Sequence, residues 1–362
     1  MQDYKKDLVS VVIPMFNAEP FIGKMLDCLQ EQTNPNWELL IVDDGSSDKS
    51  VEIVEGYAAS DARIRLIHRT KSHTKGGNTC RNIGLENAIG EFIVFFDADD
   101  IIAPYCLKQR LDFIKSNPDI DFAVFPLTGF MKELFDYDGY ALGYKNTDNA
   151  IAKFIRNTVP FQVVTNIYRK KSLTDNDITW DEQLKSHQDP DFNLLCLSKH
   201  LKFKESQLLP DYFWRLDGNP NSVGKKIKTK KHLLTNIYYL DKRVNQESPN
   251  GEYESDLLTL TNYLFKSIVL QNDKESIDMF LGHWFFDNYR FLKFKLKIIG
   301  YLQAKIKFKS RYPSYLLMLL LCPVYELRFR KHTNIDWVNK QKKLFKELKD
   351  KYYQFNGNLG NP

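Results

Sequence analysis

Over its first 130 residues the chain alternates short apolar runs with amphipathic ones, and this alternation restricts its fold more than any other feature. Residues 8–13, 37–42, 64–68, 91–96 and 122–125 are rich in β-branched and aromatic side chains and apolar at most positions, as strands buried on both faces must be. Between them, residues 21–32 carry Phe21, Met25 and Leu29 at four-residue spacing, and 47–59, 79–88 and 105–117 are further helix candidates. Strand and helix in alternation predict βαβ units and a mainly parallel sheet. Such sheets bind ligands beyond the carboxyl ends of their strands. The loops after Ile13, Val42 and Phe96 are therefore the ones to inspect.

Two of these strands end in carboxylates. Phe95-Phe96 runs into Asp97-Ala98-Asp99-Asp100. Carboxylates held together repel one another unless a cation neutralises them. Hard oxygen ligands select Mg²⁺ or Mn²⁺, which one or two carboxylates and the phosphates of a substrate typically hold. Ile41-Val42 runs into Asp43-Asp44-Gly45-Ser46-Ser47-Asp48. A carboxylate there can accept from a base N–H or a ribose hydroxyl, Gly45 permits a tight turn, and Ser46 or Ser47 can cap the following helix. Each motif alone reads as readily as an acidic turn with a helix cap. After the first strand, Pro14-Met15-Phe16-Asn17 offers backbone and the Phe16 ring to flank a planar base.

In this order the pieces resemble the family 2 inverting glycosyltransferases of the GT-A fold, which use nucleotide sugars. The resemblance runs through Val9–Ala18, Gln32-Thr33, Trp37–Asp48, Gly76, Arg81-Asn82-Ile83-Gly84-Leu85, Gly90-Glu91-Phe92-Ile93 and Phe96–Asp100. It is close over roughly the first 100 residues and looser to about residue 222. It implies an α/β, GT-A (Rossmann-like) fold with a mixed, mainly parallel sheet flanked by helices. Residues 1–222 would be the catalytic domain, followed by a basic, mainly helical C-terminal region at 223–362.

The resemblance also implies roles. Pro14, Phe16, Asp43, Asp44, Arg81, Asp97 and Arg215 would bind the donor, with Asp44 on uracil, Asp43 supporting the ribose or the turn, and Arg215 clamping the diphosphate. Asp99 and Asp97 would hold Mn²⁺ or Mg²⁺. The general base of such enzymes is an Asp followed three residues later by an aromatic, which in His187-Gln188-Asp189-Pro190-Asp191-Phe192 is Asp189, with Gln188 where Glu is commoner. From its residues alone the segment reads equally as a helix N-cap. Asp191 is a nearby competitor for that role and a second carboxylate for the acceptor side, and Trp214 of Tyr212-Phe213-Trp214-Arg215 would wall the acceptor site. Some relatives carry a His near position 217, where this chain has Asp217, a possible partner of Arg215. The implied reaction moves a sugar, with inversion, from a nucleotide donor (UDP) to a hydroxyl of a glycan or lipid-linked saccharide in surface polysaccharide synthesis.

The net charge of +5 divides unevenly. Residues 1–220 hold 25 Lys and Arg against 33 Asp and Glu, a net of −8, and residues 221–362 hold 26 against 13, a net of +13. A basic run begins at Lys225-Lys226. Residues 290–311 place eight basic and no acidic side chains among Phe, Leu and Ile, ahead of the apolar run 315–322. That pattern suits a peripheral helix on an anionic bilayer, and equally a helical subdomain with its lysines in water. No apolar run is long enough to span a membrane. Five scattered cysteines suggest neither a disulfide framework nor a zinc site. A cytoplasmic protein on the inner face of the cell membrane is expected. Nucleic acid is not an expected partner, since the acidic N-terminal part opposes it and no nucleic-acid module appears. A dehydrogenase lacks its G-x-G-x-x-G. An inactive glycosyltransferase-like binding protein is the other alternative.

Overall fold

A computed structural model of the chain describes residues 4–136, 148–217, 230–247, 252–269, 274–282 and 335–357. The first half follows the alternation read from sequence: β1 (Lys5–Met15), α1 (Ile22–Gln30), β2 (Trp37–Asp43), α2 (Ser50–Ser60), β3 (Ile64–His68), α3 (Gly77–Asn87) and β4 (Gly90–Phe95). The four strands are parallel in the order β3-β2-β1-β4. Side chains alternate across the strands. Val9, Val11 and Ile13 therefore enter one apolar layer with Met25, Leu26 and Leu29 of α1, while Val12 enters the other with Leu85 of α3. A Cβ on Gly84 would lie 2.3 Å from a Val12 methyl, so the absent side chain lets α3 approach β1.

Helix α2 starts at Ser50, three residues later than the pattern predicts. The reason is local. Ser47 N–H donates to Asn17 Oδ1 at 2.8 Å, Asn17 N–H donates to Ser46 Oγ at 3.0 Å, and Asp48 accepts from Ser50 N–H at 3.1 Å, so the segment is held as a loop against the end of β1.

Next come β5 (Ile101–Ile102), α4 (Cys106–Lys115), β6 (Phe122–Val124), β7 (Leu127–Phe130), α5 (Ala150–Ile155), β8 (Asn166–Arg169), α6 (Lys170–Asp175), α7 (Gln188–Ser198), β9 (Phe203–Glu205) and β10 (Tyr212–Arg215). Strand β8 joins the sheet antiparallel to both β4 and β6, and β9 lies parallel to β6, giving a mixed seven-stranded sheet, β3-β2-β1-β4-β8-β6-β9. A small second sheet, β5-β10-β7, pins the chain just after the Asp97–Asp100 loop.

Beyond residue 222, helices occupy Lys230–Glu247, Glu254–Val269, Lys274–Leu281 and Ile335–Gly357. The first three share an apolar cluster with the sheet: Tyr239, Leu240, Leu260 and Phe280 belong to the same core as Phe95, Trp180 and Phe192. The last packs on the opposite layer, with Tyr352 5.6 Å from Phe213 between ring centres. Among the described residues no helix is long and apolar enough to cross a membrane. The basic segments 225–229 and 290–311 and the apolar run 315–322 lie outside the described residues.

Candidate functional site

The carboxyl ends of β1 and β2 make the first wall. Asp43 accepts from the backbone N–H groups of Gly45 and Ser46, both at 3.1 Å, and so holds the turn, one of its two expected roles. Gly45 supplies a φ of +86° that other residues rarely adopt. Asp44 is buried, its Oδ1 taking Arg69 Nε at 2.5 Å and Gly76 N–H at 3.1 Å. Gly76 has a φ of +151°, and a Cβ there would meet Lys185 Nζ at 2.9 Å. Lys75 Nζ lies 4.0 Å above the half-buried Phe16 ring. Pro14 pairs in register with Val42 at the same sheet end.

The acidic loop after β4 is the second wall. Asp97 pairs with Arg81 at 2.8 Å, and the Arg81 guanidinium also donates to Gln188 Oε1 at 3.3 Å and lies 4.6 Å above Trp180. Asp100 is turned inward. It accepts from Tyr212 Oη at 2.6 Å and Arg215 N–H at 2.8 Å, while Tyr212 Oη accepts from Asp97 N–H at 3.1 Å. Burial pushes the Asp100 carboxyl up, helped by the charges of Asp99 and Asp97. Arg215 donates to the Asp99 carbonyl at 2.8 Å and lies between Phe21 and Phe130, with Asp217 at 3.8 Å. Its guanidinium therefore braces the loop's backbone.

Among the described residues no three His, Cys, Asp or Glu side chains converge to cage a metal. Asp97 and Asp99 are both partly exposed, and their charges together raise Asp100. Asp97, paired with Arg81, and Asp99 are oxygen donors of the kind that suits a Mg²⁺ or Mn²⁺ ion whose remaining ligands come from a diphosphate.

Asp189 stands in the first turn of α7, facing these walls. It is half-buried, its Oδ2 accepts from Val163 N–H at 3.3 Å, and its carboxyl is raised to about 6, first by burial and then by the Asp97 charge, against the opposing pull of Arg81. The helix N-cap reading of Asp189 is not met: the residue before the helix is His187, in the left-handed region at φ 57°, and Asp189 lies inside the first turn. Asp191, expected on the acceptor side, is instead 2% exposed and paired with Lys242 at 2.8 Å and Arg243 at 2.9 Å. Two residues along a helix turn a side chain through about 200°, which carries Asp191 away from the side Asp189 occupies. Trp214, on β10, is 37% exposed.

Arg69, Lys75 and Trp180 were not anticipated. Arg69 directly follows β3, and the rule that directed attention to the other strand ends would have found it. Trp180 carries no local signal.

A mixed sheet with acidic loops after β2 and β4, and helices on both faces, is the GT-A architecture. Residues 10–179 match the family described as Glycosyl transferase family 2, and the chain carries a domain of that family. The chain is 30% identical over 225 residues to the uncharacterized glycosyltransferase EpsJ of Bacillus subtilis, a match covering 60% of this chain and 62% of that one. It is 30% identical over 208 residues to the poly(ribitol-phosphate) beta-N-acetylglucosaminyltransferase TarS of Staphylococcus aureus, covering 56% of this chain and 34% of that one. The chain thus spans less than two thirds of either relative. The crystal structure of TarS residues 1–349 superposes with a TM-score of 0.53 at 19% identity, covering 85% of this chain and 91% of that one. The same fragment in complex with UDP-GlcNAc gives 0.50 at 21% identity, with the same coverages. The mannosyltransferase PcManGT of Pyrobaculum calidifontis, solved with GDP-Man and Mn²⁺, gives 0.50 at 14% identity, covering 95% of this chain and 86% of that one.

Proposed function

We propose that this chain is a metal-dependent inverting glycosyltransferase that moves a sugar from a UDP donor to a hydroxyl of a glycan or lipid-linked saccharide. The observation that carries the reading is Asp189: a carboxyl raised to about 6, beside the Arg81–Asp97 pair, at the carboxyl end of the sheet. The UDP-GlcNAc complex of TarS, and the GDP-Man and Mn²⁺ bound to the mannosyltransferase, support a nucleotide-sugar donor and a divalent ion.

In this reading Asp44 receives the base edge, and Phe16 and Lys75 bound the base. Asp189 takes the proton from the acceptor hydroxyl as its oxygen attacks the anomeric carbon, a contribution of about 10²–10⁴-fold. A pKa near neutrality leaves it ionised enough to accept and basic enough to pull. Asp97 and Asp99 would hold the Mg²⁺ or Mn²⁺, which supplies charge neutralisation for the departing diphosphate. Arg81 places its positive charge beside Asp97 and Asp189 and keeps the two carboxylates from raising one another further. A single displacement with one base inverts the configuration.

The test is UDP release from UDP-glucose, UDP-GlcNAc, UDP-galactose and UDP-GalNAc in Mn²⁺. Release from at least one donor, abolished by EDTA and restored by Mn²⁺, is expected; no release from any, or release indifferent to EDTA, contradicts the function. The basic segment 290–311 supports attachment to an anionic membrane face. Salt-sensitive binding to phosphatidylglycerol vesicles is expected, and no binding at low salt contradicts it.

A further inference from the structure

Helix α7 carries Asp189 two residues after a residue in a disfavoured backbone conformation and two residues before a buried charge, and both neighbours are held by one helix. His187 is in the left-handed region, at φ 57°. Its ring stacks on Tyr239 with centroids 4.6 Å apart and planes 10° from parallel. Its Nε2 lies 3.0 Å from Asn236 Oδ1, and its Nδ1 3.2 Å from Asn157 Oδ1. On the other side of Asp189, Asp191 is paired with Arg243 at 2.9 Å and Lys242 at 2.8 Å. Asn236, Tyr239, Lys242 and Arg243 all belong to Lys230–Glu247, which lies outside the family match at 10–179.

We propose that the helix Lys230–Glu247 is a clamp that positions Asp189 for catalysis, gripping His187 on one side of it and Asp191 on the other. The inference rests on the reading of Asp189 as the base. Three features carry it. A non-glycine residue in the left-handed region persists only when its surroundings over-determine it, and His187 has a stacked ring and a partner for each ring nitrogen. A buried carboxylate needs full pairing, and Asp191 obtains both of its cations from the same helix. The two grips lie four residues apart in sequence with Asp189 midway, so neither end of the first turn of α7 can shift without breaking one of them. Among the described residues Asp189 itself has a single backbone donor, Val163 N–H, at the long distance of 3.3 Å. Its placement is therefore inherited from its neighbours. His187, Asn236, Tyr239, Asp191 and Arg243 are positioning residues, and none of them touches the reacting atoms.

The test uses the full chain with Asn236→Ala, Arg243→Met and the conservative Arg243→Lys. Two readouts are needed: backbone hydrogen exchange over 187–192, and the kcat and donor KM for UDP release from the UDP-sugar the wild-type protein turns over fastest. A displaced base costs rate steeply. Asn236→Ala and Arg243→Met are expected to speed exchange at 187–192 and to lower kcat about 10- to 100-fold with donor KM and UDP affinity nearly unchanged. Arg243→Lys is expected to recover most of the rate. In an Asp189→Asn background, Asn236→Ala is expected to cause no further loss.

The clamp is overturned if folded Asn236→Ala keeps kcat within about twofold of wild type, or if exchange at 187–192 does not change. It is also overturned if the rate loss comes with an equal loss of UDP affinity, the mark of general damage. Should Arg243→Met not fold, Asn236→Ala decides alone. Full activity of Asp189→Asn overturns the base assignment itself; full activity of Asn236→Ala with Asp189→Asn inactive overturns only the clamp.

Discussion

Arg81 Nη2 lies 2.8 Å from Asp97 Oδ1, and this one ion pair joins α3 to the acidic loop that follows β4. The same guanidinium reaches Gln188, the residue before Asp189. Burial raises the Asp189 pKa most, Arg81 lowers it and Asp97 raises it, so the pair adjusts the strength of the proposed base. Arg81→Met removes the positive partner. UDP release is expected to fall about 100-fold, and the acid limb of its pH profile to move above the wild-type midpoint. An unmoved midpoint would separate Arg81 from Asp189.

The pH dependence has a definite sign. A general base works deprotonated, so kcat/KM is expected to rise with pH and level off above about 6, the value to which Asp189 is pushed. Stability moves the other way. The folded pKa exceeds the ordinary 3.8, so the contribution of this group is fully present below 3.8 and is lost as pH rises through about 6. Asp189→Asn is therefore expected to be more stable than wild type at pH 7, by at most about 3 kcal/mol, with the difference vanishing near pH 4. Thermal unfolding across that range checks it.

Tyr212 joins two of the three aspartates of the acidic loop, donating to Asp100 at 2.6 Å and accepting from Asp97 N–H at 3.1 Å. Tyr212→Phe leaves the buried Asp100 with one donor fewer. The expected destabilisation is about 1–3 kcal/mol by denaturant unfolding, with weakened Mn²⁺ dependence of UDP release as the loop loosens.

Arg110 and Asp211 form a wholly buried ion pair at 2.6 Å, and Arg110 also donates to the Val164 carbonyl at 2.9 Å. This pair ties α4 to the chain entering β10, beneath the acidic loop. Arg110→Met strands a buried carboxylate and is expected to cost about 3–5 kcal/mol. A much smaller loss in urea unfolding would show that Asp211 finds another partner or water.

What sequence could show was governed by locality. Strands β1, β2 and β4 are apolar at most positions, and β2 and β4 run into carboxylates, so both the parallel sheet and the loops bearing Asp44, Asp97 and Asp99 were readable from residue order. The short strand β8 was not, because only its long-range pairing with β4 and β6 turns Asn166–Arg169 into part of the sheet. Asp191 was placed on the acceptor side because a sequence run does not show which way each side chain of a helical turn points. Its partners, Lys242 and Arg243, lie some fifty residues away. Arg215 is expected from its type to clamp a diphosphate, and residue order did not show that it also braces the acidic loop through Phe21, Phe130 and the Asp99 carbonyl.

The most direct test of the central claim compares Asp189→Asn with wild type, measuring UDP release and UDP affinity on the same preparations. The account predicts a loss of release of about 10²-fold or more, with the UDP Kd nearly unchanged, because Asp189 acts on the acceptor proton and not on the nucleotide. Asp189→Asn protein that releases UDP at the wild-type rate while binding it normally would contradict the account.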